Sequence, residues 1–169
     1  PHPFDPEKRF RGTPGWADAG VLVPWEVYLR THDLRLLRAS VGPALAWVKF
    51  VAAKNPGLVW RAERGDDHGD RFNGSTLRLE NAACEGCEVP KDLFATAFFA
   101  RSARVTAKMA FAIGDAAAQS EAKDLADRAA VEFRKAFAQP GKLTGDSQAA
   151  YALALDFDLY ESPAQAQEW

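Results

Sequence analysis

Residues 90–114, PKDLFATAFFARSARVTAKMAFAIG, decide the fold class of this chain. Phe94, Phe98, Arg101, Val105, Met109 and Ala112 recur at steps of three and four, which places them on one face of an α-helix. Pro90 stands just ahead of the first turn, and Gly114 supplies the residue that ends the helix. A half-buried strand would need strict alternation, and the stretch has none.

Downstream, Ala122, Leu125, Ala126, Ala129, Phe133, Ala136 and Phe137 repeat the helical pattern until Pro140-Gly141 closes it. Another helix is predicted from about Asp146 to Leu159, carrying Tyr151, Leu155 and Leu159. Ser162-Pro163 then reads as an N-cap followed by a first-turn proline, opening a helix in which the sequence stops. That stop is read as a truncation.

Upstream, residues 58–89 form the longest irregular stretch, rich in Gly, Asp, Glu and Asn, and loops of this length in compact domains commonly carry function. Before it, Leu45, Trp47, Val48, Phe50 and Val51 predict a helix stopped by Asn55-Pro56-Gly57. A separate helix is expected to open at Asp33, run through Leu34, Leu36 and Leu37, and break around Gly42-Pro43. From about Ala19 to Arg30, Val21, Leu22, Trp25, Val27, Tyr28 and Leu29 suggest a largely buried helix, with Pro24 near its first turn. Residues 1–15 read as an irregular lead-in. The expected class is all-α, with successive helices pairing antiparallel. Periodicity alone fits a bundle or part of a toroid of helix hairpins equally.

At 169 residues, 47% hydrophobic and 26% charged, the chain is read as one folded, soluble domain spanning residues 1–169. Its formal net charge is −2, with 21 basic residues spread among 23 acidic ones, so the basic face of a nucleic-acid partner is missing. Apolar runs such as Gly20–Trp25 and Leu93–Ala100 fall short of the roughly 20 residues of a membrane span, and no membrane association is expected. The opening Pro1-His2-Pro3-Phe4-Asp5-Pro6 lacks the basic start and apolar core of a secretory signal, which favours the cytoplasm.

Cys84-Glu85-Gly86-Cys87 is a lone CxxC with His2, His32 and His68 as the other obvious donors. A structural zinc site needs four ligands, and a redox pair belongs beside a βαβ pattern, so loop cysteines are the better reading. The acidic run Glu63 to Asp70 does not match a calcium loop, since Arg71 occupies the position of the turn glycine. Asn73-Gly74-Ser75 fits a glycosylation sequon without a secretory context to give it meaning. Trp16, Trp25, Trp47 and Trp60 are candidate sugar-stacking faces; Trp25 and Trp47 lie in helical patterns that favour core packing, whereas Trp16 lies in a Gly-rich turn. No cofactor or metal is implied, and no oligomeric state is indicated.

The stretch PGWADAGVLVPW, residues 14–25, followed by Tyr28 and Asp33, resembles the bacterial α-L-rhamnosidase family, glycoside hydrolase family 78. The likeness continues in order through Trp47-Val48, Gly69-Asp70, Pro90-Lys91-Asp92-Leu93, residues 95–100 (ATAFFA) and residues 145–155 (GDSQAAYALAL). It implies an (α/α)6 barrel whose loops at one end form a pocket for terminal α-L-rhamnose, and hydrolysis with inversion. It also implies that the general acid lies before the Pro-Gly-Trp block and the general base beyond the Gln-Ala-Ala-Tyr block, so residues 1–169 are read as a partial catalytic barrel domain truncated at both ends, and no catalytic residue is assigned within this chain. By the same resemblance Trp16 lines the rhamnose pocket, and Asp18 in the same turn is expected, with Asp70, Arg71 and Phe72, to be a substrate-binding residue. Asp70 belongs to a family turn normally followed by a second pocket tryptophan; here Arg71 stands in that place and Phe72 follows, as a hydroxyl-bonding group and a replacement stacking face respectively. Two rival readings are a noncatalytic helical interaction module and a metal-binding module using Cys84, Cys87 and His68.

Overall fold

The computed structural model describes residues 12–64 and 89–169. Six helices follow one another: α1 (Ala19–Thr31), α2 (Leu34–Lys54), α3 (Lys91–Ile113), α4 (Ala116–Phe137), α5 (Gln148–Asp156) and α6 (Pro163–Glu168). A short hairpin, β1 (Ala138–Gln139) and β2 (Lys142–Leu143), lies between α4 and α5. Its turn is Pro140-Gly141, with Gly141 at φ 69°, the left-handed position that glycine fills without steric penalty.

The helix starts follow the capping chemistry of their sequences. Asp33, Asp115, Ser147 and Ser162 each accept a hydrogen bond from a backbone N–H of the helix they precede. Gly114 in the left-handed conformation closes α3 and turns the chain back into α4. Just beyond α5 the carbonyls of residues 157–159 are held by side chains. Arg104 of α3 donates to the carbonyls of Phe157 and Asp158, and Arg134 of α4 donates to that of Leu159.

Helix α3 is the centre of the assembly, packing against α1, α2, α4 and α5. More than half of its residues are buried, among them Leu93, Phe99, Val105 and Met109. The main core gathers Val48 and Val51 of α2, Leu93 and Phe99 of α3, Phe133 and Phe137 of α4, and Ala150 and Ala154 of α5. A second cluster joins Val21, Leu37, Val41, Val105 and Met109.

Three expectations change. The chain does not break at Gly42-Pro43: α2 is continuous, and burial of Val41, Ala44, Val48 and Val51 along one face outweighs the lost hydrogen bond at Pro43. Pro24 lies in the interior of α1 rather than its first turn. Helix α1 is also far from largely buried, for only Val21 is enclosed while Val23, Val27 and Leu29 are exposed. Among the described residues, α2 alone is long and apolar enough to cross a membrane, by length and composition; its apolar residues include the face that packs into the core.

Candidate functional site

The start of α1, the exit of α2 and the start of α3 meet at one end of the fold. Pro14 to Asp18 form a turn leading into α1, with Gly15 at φ 80°. A side chain at Gly15 would lie 3.6 Å from the Phe94 ring and 3.8 Å from that of Phe98, so the turn rests on these two α3 aromatics. Phe94 and Phe98 pack on each other with centroids 4.7 Å apart, and Phe98 meets Phe157 edge-on at 5.2 Å. A cleft of about 400 Å³ opens beside them, lined by Phe94, Ala149, Ala152, Leu153, Asp156 and Phe157.

Trp16 projects from the turn and is 76% exposed, the largest exposure among the exposed large apolar side chains. Asp18, two residues later, is fully buried. Its Oδ2 accepts from the Gly15 backbone N–H at 2.8 Å; its Oδ1 accepts from Trp47 Nε1–H at 2.9 Å and the Ser102 hydroxyl at 2.7 Å. Burial pushes the Asp18 carboxyl above the usual carboxylate range, and the hydrogen bonds from Trp47, Ser102 and Gly15 act in the opposite direction.

Trp47 links this turn to the segment that leaves α2. Its indole stacks on Phe50 at 5.8 Å and meets Trp60 edge-on at 5.7 Å. Gly12, at φ 122°, packs so closely on it that an added Cβ would come within 2.3 Å of the ring. Residues 58–64 are fastened in turn. The Asn55 side-chain oxygen accepts from the N–H groups of Arg61 and Ala62 at 2.8 and 2.9 Å, and Thr96 of α3 accepts from the Trp60 N–H at 2.9 Å. Arg61 and Arg64 both pair with Asp92 in the first turn of α3.

Of the sequence candidates, Trp16 and Asp18 therefore share one turn but face opposite ways, one toward solvent and one inward; the expectation that Asp18 touches substrate gives way, because its carboxylate is enclosed and bonded to Gly15, Trp47 and Ser102. Asp70, Arg71 and Phe72 lie outside the described residues, as do Cys84, Cys87, His68 and the Asn73 sequon. Among the described residues no group of three or more His, Cys, Asp or Glu converges as a metal site would. Trp60 is 1% exposed, which removes it as a stacking face. Sequence reading did not find Trp47 and Ser102 as the anchors of Asp18, nor Asn55 as the organiser of the following segment. Their partners lie 29, 84 and 6 to 7 residues away, and only the Asn55 contacts are local enough for a turn-forming Asn to have signalled them.

A family model for the bacterial α-L-rhamnosidase six-hairpin glycosidase domain matches residues 1–169. An α-L-rhamnosidase of Streptomyces avermitilis is 38% identical over 149 residues, covering 88% of this chain and 13% of the relative. One from Formosa agariphila is 30% identical over 158 residues, covering 86% of this chain and 15% of its own length. The crystal structure of the Streptomyces avermitilis α-L-rhamnosidase complexed with L-rhamnose superposes with a TM-score of 0.80 at 34% identity, covering 93% of this chain and 14% of that one. Native α-L-rhamnosidase from Aspergillus terreus gives 0.73 at 25% identity, covering 90% and 17%.

Proposed function

Because the chain belongs to the bacterial α-L-rhamnosidase six-hairpin glycosidase family, we propose that it contributes one part of an enzyme that releases terminal α-L-rhamnose from glycosides. The chain spans about a seventh of the length of the rhamnosidases it matches, 13% of one and 15% of another. Its contribution is one wall of the sugar pocket, built on the Pro14–Asp18 turn.

The observation that carries this reading is the exposed Trp16 on a turn fixed from below. A pyranose presents an apolar face that packs on an indole, while its hydroxyls seek polar partners around the rim. An exposed indole on an unanchored loop would lose side-chain and backbone freedom on binding a sugar; the buried Asp18 contacts remove much of that cost beforehand.

Hydrolysis with inversion needs two carboxyl groups. One protonates the leaving glycosidic oxygen, and the other takes a proton from the water that attacks the anomeric carbon on the opposite face, the two carboxyl groups standing about 6.5–9.5 Å apart to admit that water. The C–O bond to the leaving group breaks as the new C–O bond to water forms, giving free rhamnose with the opposite anomeric configuration. Asp18 suits neither role, because its buried oxygens are already engaged by three donors. Asp92 is engaged by Arg61 and Arg64. The family resemblance is the ground on which both catalytic carboxyls are assigned to other parts of the enzyme.

The test is hydrolysis of 4-nitrophenyl α-L-rhamnoside by the 169-residue chain and by the complete gene product that contains it. Turnover by the complete protein, none by the isolated chain, and initial release of the β-anomer of rhamnose are expected. Turnover by the isolated chain refutes the assignment of the carboxyls elsewhere; retention of configuration refutes inversion; an inactive complete protein refutes the rhamnosidase reading.

A further inference from the structure

Asp18 has no exposed surface, so a sugar in the pocket meets Trp16 and not the Asp18 carboxylate. The three donors on that carboxylate divide into two groups. Trp47 of α2, partly buried, packs against the main core, and Ser102 of α3 is fully buried. Gly15 belongs to the turn that carries Trp16. The carboxylate is thus the joint between a rigid helix pair and the only indole at this end, among the described residues, that stands open to solvent.

We propose that Asp18 is a positioning residue: by holding the Gly15 N–H against the α2–α3 pair, it sets where the Trp16 indole stands to pack on a bound rhamnose ring. This inference rests on the rhamnosidase reading above. The donor set explains why aspartate is required. The Gly15 N–H and the Trp47 indole N–H can only donate, so the residue between them must accept on both of its ends. Asparagine cannot. With its oxygen toward Trp47 and Ser102 its amide N–H₂ faces the Gly15 N–H, and with the amide flipped it faces the Trp47 N–H. In the first and better-satisfied orientation the released group is the turn itself, and Trp16 moves with it.

The experiment is a double-mutant cycle in the complete enzyme with 4-nitrophenyl α-L-rhamnoside, comparing W16A, D18N and the double variant, with circular dichroism to report folding. Expected are a KM raised about tenfold by W16A, a KM raised by about three- to tenfold by D18N, kcat within about twofold in both, and a double variant no worse than W16A alone. Multiplying effects in the double variant, or an unchanged KM in D18N beside a raised one in W16A, overturns the positioning role and leaves the rhamnosidase reading intact. An unchanged KM in W16A overturns both the pocket role of Trp16 and this inference, whereas an inactive unaltered enzyme overturns the functional reading beneath them. Should D18N fail to fold, S102A removes one donor with little change in volume. It is expected to raise KM by about two- to threefold, an effect absent in the W16A background; an effect that persists there overturns the proposal.

Discussion

Helices α1 and α3 are both rich in apolar residues, yet only α3 is enclosed. Leu93, Phe99, Val105 and Met109 of α3 are buried, while α1 encloses Val21 alone and leaves Val23 56%, Val27 39% and Leu29 47% exposed. The difference is one of neighbours. Helix α3 has α1, α2, α4 and α5 around it, whereas among the described residues α1 packs mainly on α2 and α3. Apolar spacing in a sequence reports that a helix has a face to cover; it does not report whether the rest of the chain covers it. The Pro14–Asp18 turn sits where the two helices meet, resting on Phe94 and Phe98 and pinned to Ser102.

The largest test of this contrast is Phe99→Ala. Phe99 is 1% exposed in the main core, and its loss should cost about 3–5 kcal/mol of stability through lost burial and the cavity left behind. Urea unfolding followed by circular dichroism measures it. A cost below about 1 kcal/mol would mean that α3 is not the packed centre.

Next in size is Trp47→Phe, which keeps one aromatic ring and removes the indole N–H with the rest of the bicycle. The Asp18 carboxylate then loses one of two donors to Oδ1 inside the protein, and a cost of about 1–3 kcal/mol is expected from that loss, added to the cost of shrinking a ring that packs on Phe50 and Trp60. A neutral result would show that the joint between the turn and the helices carries no strength.

The third test uses pH. Burial holds the Asp18 carboxyl above its ordinary value of 3.8, so between that value and the raised one the folded chain binds more protons than the unfolded chain. Stability contributed through Asp18 therefore falls as pH rises through that window. The exposed Asp33 at the start of α2 behaves oppositely: its hydrogen bonds with Arg35 lower it to about 2, so its contribution is present above 3.8 and is lost as pH falls toward 2. Urea midpoints measured across this range should show that Asp18→Asn removes a decline with rising pH and that Asp33→Asn removes a decline with falling pH. Identical pH profiles for the unaltered chain and Asp18→Asn would contradict the buried environment of Asp18.

Much of this fold was legible before the structure, for reasons that can be located. The α3 boundaries follow from Pro90 and Gly114, and the Asp33 and Ser162 caps follow from local hydrogen-bonding capacity. Pro43 misled because a proline's local penalty is visible in sequence while the packing of Val41 and Val48 that offsets it is not. The site was half legible. A Trp in a Gly-rich turn signals exposure, but an Asp two residues on looks equally solvent-facing until Trp47 and Ser102, 29 and 84 residues later, are brought to it. The family resemblance placed both residues in one turn without distinguishing the outward one from the inward one.

The smallest effect gives the contrast its sharpest edge. Leu29→Ser on the outer part of α1 changes a side chain that is 47% exposed, so in the isolated 169-residue chain the stability change should stay within about 0.5 kcal/mol. A cost above about 1.5 kcal/mol in that chain would mean that α1 is enclosed after all. The same substitution in the complete gene product separates two states of one helix. If further hairpins of a six-hairpin domain cover α1 there, Leu29 is buried and the cost rises to about 1.5–3 kcal/mol, the range for enclosing a leucine side chain. If the cost stays near zero in both, α1 is an outward helix of the complete protein, and its apolar residues do not serve as a seam between hairpins.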